Sequence, residues 1–133
     1  MSVRRAVISQ LKSQVAALGG RVYQAFLTPA NVQSPYATVK IAGIRSTPEI
    51  SYAGDQQVEV YIYRIQDDFI SLDGIRHSVV MALNGVTLVD VPTGERYWLR
   101  WFPTGLLDFV DEDRKLIGCV VMFETSVIYE RSI

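Results

Sequence analysis

The stretch "QQVEVYIYRI" (56–65) decides the fold. Val58, Val60 and Ile62 alternate with Gln57, Glu59, Tyr61 and Tyr63, so an extended chain sends the two sets to opposite sides. A helix would scatter both sets around its circumference, so a period of two selects a strand with one buried face. After Ile65 the period changes. Phe69, Leu72, Arg76, Val79 and Leu83 recur at steps of three or four, as the buried stripe of a helix does. Asp67 or Asp68 can cap that helix, because a carboxylate accepts its free N–H groups and favours the positive end of its dipole. Asn84-Gly85 ends it, and Gly74 weakens it by about 1 kcal/mol relative to alanine.

Working outward, "YATVKIAG" (36–43) repeats the alternation and "RVYQAF" (21–26) reads as a short strand. "LTPANVQSP" (27–35) holds Pro29 and Pro35, which cannot donate to a ladder, and is a loop. At the start, Val3, Val7, Leu11, Val15 and Leu18 predict a four-turn helix, with Ser2 as its cap and Gly19-Gly20 as its stop. Beyond the second helix come "VTLVDV" (86–91), "RYWLRWF" (96–102) and "LIGCVVMFETSVIYE" (116–130), with a turn at Pro92-Thr93-Gly94. The order α-β-β-β-α-β-β-β predicts one α+β domain over residues 1–133. It is built on a single largely antiparallel or mixed sheet with two helices on one face.

Composition narrows the function. A chain of 133 residues that is 49% hydrophobic and 20% charged folds as a globular domain. Its 13 basic and 14 acidic residues give net charge −1, so no strong field recruits nucleic acid or membrane. The lone Cys119 has no intramolecular disulfide partner. Ser9, Gln10, Lys12 and Ser13 interrupt the N-terminal apolar residues, and no apolar run approaches the roughly 18 residues of a membrane span, so the chain reads as soluble.

Catalytic motifs are weak. "FVDEDRKLIG" (109–118) crowds Asp111, Glu112, Asp113, Arg114 and Lys115 together. A calcium loop counted from Asp111 would put Lys115 at its fifth position, Leu116 where glycine belongs and Met122 at the distal acid, so the match fails. A solvated turn between strands is the better reading. His77, the only histidine, falls beside the stripe of the second helix, and Cys119 falls within an apolar strand. No metal, cofactor or catalytic set is expected, and the chain reads as a non-enzyme. "RYWLRWF" instead suggests recognition. Arg96, Trp98, Arg100 and Phe102 share one face, opposite Tyr97, Leu99 and Trp101. Ten of the thirteen cations are arginine, a residue enriched with tyrosine and tryptophan at protein interfaces.

The ordered segments "ALGGRVY" (17–23), "SPYATVKI" (34–41), "QQVEVYIY" (56–63), "ALNG" (82–85) and "DFVDEDRKLIGCVVMFETSVIY" (108–129) are spread along nearly the full length of the chain. Together they resemble the tail terminator, or tail completion, proteins of long-tailed phages, including the tail-to-head joining group. The aromatic richness of "RYWLRWF" and the glycine at Gly118 depart from that pattern. The resemblance implies a structural virion protein at the head-proximal end of the tail, assembled in the host cytoplasm. It implies a ring, typically of six copies, that sits on the last ring of the tail tube and stops its growth. The partners it implies are further copies of the chain, the tail-tube protein and a head-side connector, with DNA only passing through the lumen. The expected subunit or docking surface is Tyr61, Tyr63, Arg96, Trp98, Arg100 and Phe102, with Asp111 to Lys115 as a charged rim. Three other readings stay open: another neck protein such as a stopper or adaptor, a small nucleic-acid-binding module using Arg96, Trp98 and Arg100, and an unrecognised hydrolase using Asp or Tyr residues.

Overall fold

Val58, Val60 and Ile62 are fully buried, and the rest of the sheet is laid down around them. The computed structural model describes residues 3–45, 55–66, 69–102 and 108–128. Strand β3 (Asp55–Ile65) lies between β2 (Tyr36–Arg45) and β7 (Leu116–Ile128), antiparallel to both. β1 (Val22–Gln24) joins β2 in parallel, the one parallel pairing among the described strands. On the far flank of β7, β5 (Arg96–Phe102) and β6 (Asp108–Asp111) follow one another end to end. β4 (Thr87–Val89) closes a hairpin with β5, giving the order β1-β2-β3-β7-β5-β4. The α+β class and the mixed sheet follow the sequence pattern. β6 does not stand out in it, because its four residues alternate over too short a span to show a period.

Two helices cover one face. From α1 (Val3–Gln14), Val3, Val7 and Leu11 are buried, and from α2 (Phe69–Leu83), Leu72, Ile75, Val79 and Leu83. They join Val39, Val60, Ile62, Leu99, Val121 and Phe123 in a single core. Each such side chain contributes roughly 1.5–3 kcal/mol when fully buried. α1 touches β1 and β2 at one edge of the sheet and β4 at the other, so the sheet curls and α1 bridges its seam.

Local details differ from the sequence pattern for physical reasons. Helix α1 ends at Gln14, and a 3-10 turn over Ala16–Leu18 completes the run. The tighter winding still buries Val15 and Leu18, and Gly19, at φ 55°, donates its N–H to Ala16 O. In α2 the buried stripe passes through Ile75, while Arg76 is half-buried and pairs with Asp73 at 3.4 Å. The Ser2 and Asp67 or Asp68 caps lie outside the described residues.

One buried acid ties the layers together. Asp90, 1% exposed, accepts from Arg5 Nε and Nη2 at 2.6 and 2.7 Å and from the Thr93 hydroxyl at 2.7 Å. A fork-on-fork pair of this kind fixes angle as well as distance. It fastens the first turn of α1 to the β4–β5 turn.

Candidate assembly surface on the helix-free face

Residues directly opposite one another in neighbouring strands point to the same side of a sheet. The register therefore defines the face that the helices leave bare. Tyr36 lies opposite Tyr63, Tyr63 opposite Gly118, and Gly118 opposite Phe109. One step along, Thr38, Tyr61 and Val120 align, and then Lys40, Glu59, Met122 and Phe102. Arg100 follows opposite Glu124, Trp98 opposite Ser126 and Arg96 opposite Ile128. All six residues expected to form a subunit or docking surface thus share the helix-free face.

They fall into two groups. In the first, Tyr36 stacks on Tyr63 with ring centroids 4.8 Å apart and planes at 15°. Phe109 meets Tyr63 edge-on at 5.6 Å and Tyr61 at 6.5 Å, and Tyr23 reaches Tyr36 at 6.5 Å. Such pairs add about 0.5–1.5 kcal/mol each beyond the area they bury. The cluster buries Tyr36 and Thr38 on a face that no helix covers among the described residues. Gly118 makes room for it. A Cβ there would stand 2.3 Å from Phe109 Cζ and 2.9 Å from Ile62 O, so only glycine lets the Phe109 ring lie against the β7 backbone.

The tyrosines here are donors rather than bases. Tyr61 donates to Glu59 Oε1 at 2.5 Å, and burial followed by that bond pushes its phenol up to about 12. Burial also raises Tyr63. Beside them opens a cleft of about 650 Å³, lined by Phe26, Tyr36, Lys40, Tyr61, Tyr63 and Arg114 among others. Phe26, 89% exposed and at φ 69°, stands at its edge with Lys40 Nζ 5.9 Å from the ring centre.

The second group is the outward face of β5. Trp98 is 40% exposed, whereas Tyr97 and Leu99 are fully buried toward the helices. Arg100 pairs with Glu124 at 2.6 Å, and Arg96 and Phe102 are half-buried. Val120, beside Tyr61, is six residues along β7 from Ser126, beside Trp98, a span of roughly 20 Å. Val120 and Met122, both half-buried, lie between the groups and join them into one apolar stripe.

The charged segment is the turn of the β6–β7 hairpin. Asp111 ends β6 and accepts the Arg114 backbone N–H at 3.1 Å, while Glu112, Asp113, Arg114 and Lys115 are exposed. Among the described residues, no three His, Cys, Asp or Glu side chains gather as metal ligands do. His77 is exposed on α2, whereas Cys119 lies in the core, where burial pushes its thiol up to about 12. The two do not form a nucleophile–base couple. Sequence reasoning missed Tyr23, Tyr36 and Phe109 in the aromatic cluster, and Asp90. A tyrosine at each strand start was the available signal for the first two, whereas a single acid within "TLVDV" carries none.

No protein-family model matches the chain, and no curated protein does. Among solved structures, one similar chain belongs to a particle described as "Virion of native gene transfer agent (GTA) particle". The TM-score is 0.73 over 95% of this chain and 94% of that one, at 18% identity. That fold occurs in a virion. At such identity the likeness establishes a shared fold, end to end, for a chain with two helices on one face of its sheet and an aromatic stripe on the other.

Proposed function

We propose that this chain is a non-enzymatic virion protein that forms a six-membered ring on the end of a phage tail tube, halts tube growth and offers a docking surface to a head-side connector. One observation carries the virion role: the near full-length fold likeness to a chain of a gene transfer agent virion. The terminator role rests on the resemblance of the ordered segments from "ALGGRVY" to "DFVDEDRKLIGCVVMFETSVIY" to tail terminators. The bare face supports assembly as the use of the fold. A monomer gains little from leaving Trp98, Tyr61 and Phe26 partly in water, whereas an interface buries broad rings around a few oriented hydrogen bonds.

The mechanism is interface matching. One side of the ring complements the last ring of the tube and the other complements a different protein, so neither offers a template for another tube ring. Chemistry at a catalytic centre plays no part. DNA passes through the lumen, and a chain with net charge −1 lets it slide rather than holding its phosphates. The test is growth arrest: tail-tube subunits polymerise in vitro with and without the purified chain. The chain should fix tube length at substoichiometric amounts. Tubes that elongate equally well in its presence would remove the terminator role.

A further inference from the structure

Cations short of a counter-charge lie on one arc of α1. Arg4, Arg5, Ile8, Ser9 and Lys12, with Gln24 of β1, line a cleft of about 580 Å³. The five helix positions fall within about 140° of the helix circumference. Arg5 is already held by Asp90. Arg4 Nε is closed off from solvent without an acceptor, and neither Arg4 nor Lys12 has an ion pair among the described residues. The first turn of α1 contains no acidic residue, so two guanidiniums sit at the positive end of its dipole. Asp90, the acid that meets this arc among the described residues, is taken by Arg5.

The converse holds for the acidic residues between β6 and β7. In the β6–β7 turn Arg114 folds back on Asp111, its Nε 4.0 Å from Oδ2, and leaves Glu112 and Asp113 exposed with no ion pair among the described residues. That turn precedes Leu116, the first residue of β7. Arg5 is tied to Asp90, which follows Val89, and the register from Val89 through Arg96 leads to Ile128, the last. Arg5 thus lies toward the far end of the thirteen-residue β7, and from there the arc runs along α1 to Gln24, which the register through Val39 and Val60 places level with Val121.

We infer that the Arg4–Lys12 arc of one copy receives the Glu112–Asp113 apex of a second copy, as the lateral contact of the ring. The inference rests on the ring proposed above and names the residues that close it. Two different patches, one basic and one acidic, cannot pair about a two-fold axis through either patch. Repeated head to tail they generate a ring when the rotation closes. Paired charges also set the register between copies and reject wrong neighbours. A nucleic-acid strand is the rival polyanion, but a chain of net charge −1 with three cations in this cleft favours a short acidic protein segment.

The test compares assembly of the full chain, alone and on tail-tube ends, by sedimentation and native mass. The variants are Arg4→Glu/Lys12→Glu, Glu112→Lys/Asp113→Lys and the four changes combined, with Arg5 left to hold Asp90. Thermal unfolding checks each fold, and the neutral pair Arg4→Gln/Lys12→Gln serves if the reversals disturb α1. Each double reversal should weaken assembly roughly tenfold or more, the fourfold variant should regain it, and salt should weaken the parent. Double variants that assemble like the parent, or a fourfold variant that does not recover, would overturn the pairing while leaving the ring. So would binding of a duplex oligonucleotide by the parent that is lost with Arg4 and Lys12. A parent that forms no ring in either setting removes the ring itself and this contact with it.

Discussion

The two faces of one sheet differ in how they are filled. Along β3, Val58, Val60 and Ile62 are fully buried in the core to which both helices contribute, whereas Glu59, Tyr61 and Tyr63, one residue out of step, lie on the opposite face. Along β5, Tyr97 and Leu99 are buried and Trp98 and Arg100 are exposed. The same backbone therefore serves two ends. One face is close-packed, and its aliphatic side chains make the chain fold. The other holds rings, hydroxyls and ion pairs that fold alone does not require. What separates the two functions is the parity of the residue number along each strand.

The largest effect should come from the covered face. Val60→Asp places an unpaired carboxylate among Val39, Val121 and the helices and should cost about 3 kcal/mol or more, lowering the thermal midpoint by about 10 °C. An unchanged midpoint would mean that Val60 does not face the core. Gly118→Ala probes the point where the two faces come closest, since the new methyl meets both Phe109 on the bare side and Ile62 O in the ladder. Overpacking there should cost about 1–3 kcal/mol. The near-ultraviolet dichroism of the tyrosine cluster should fall with it, whereas a mere weakening of the strand would leave that signal in proportion to the folded fraction.

Much of this partition was legible in the sequence because a period of two survives translation into structure directly. Val58 to Tyr63 and Arg96 to Phe102 announced their faces, and the helical stripes of α1 and α2 announced which face they cover. What stayed hidden depends on register between distant strands. Phe109 joins Tyr36 and Tyr63 only because β6 pairs with β7 at Gly118 and β7 pairs with β3 at Tyr63, a relation that no local pattern encodes. Asp90 was hidden likewise, since its partner Arg5 lies 85 residues away. The bare face as a whole was visible. Its division into a tyrosine cluster and a tryptophan strip was not.

A smaller effect should appear in alkali, where the groups of both faces hold protons more tightly folded than unfolded. Cys119 rises from 9.0 to about 12 and Tyr61 from 10.0 to about 12, both chiefly through burial. A raised folded value means stability that is intact below the unfolded value and is lost as pH climbs through the folded one. The thermal midpoint should therefore decline between pH 9 and 12. Tyr61→Phe should flatten the part of that decline above pH 10, and an unaltered profile would mean that the phenol titrates freely in the fold. Consistent with the same burial, Cys119 should resist alkylation at neutral pH until the chain unfolds.

The most direct test uses Trp98→Ala/Arg100→Glu, two changes on the bare face. Arg100 and Glu124 form an exposed pair worth under about 1 kcal/mol, and Trp98 already stands partly in water, so the variant should remain folded by thermal unfolding and far-ultraviolet dichroism. Electron microscopy of tail-tube ends mixed with parent or variant then separates folding from assembly. The parent should appear as a six-fold ring at tube ends, and the folded variant should leave the ends bare. A folded variant that caps tubes as the parent does would contradict the assignment of the helix-free face to assembly.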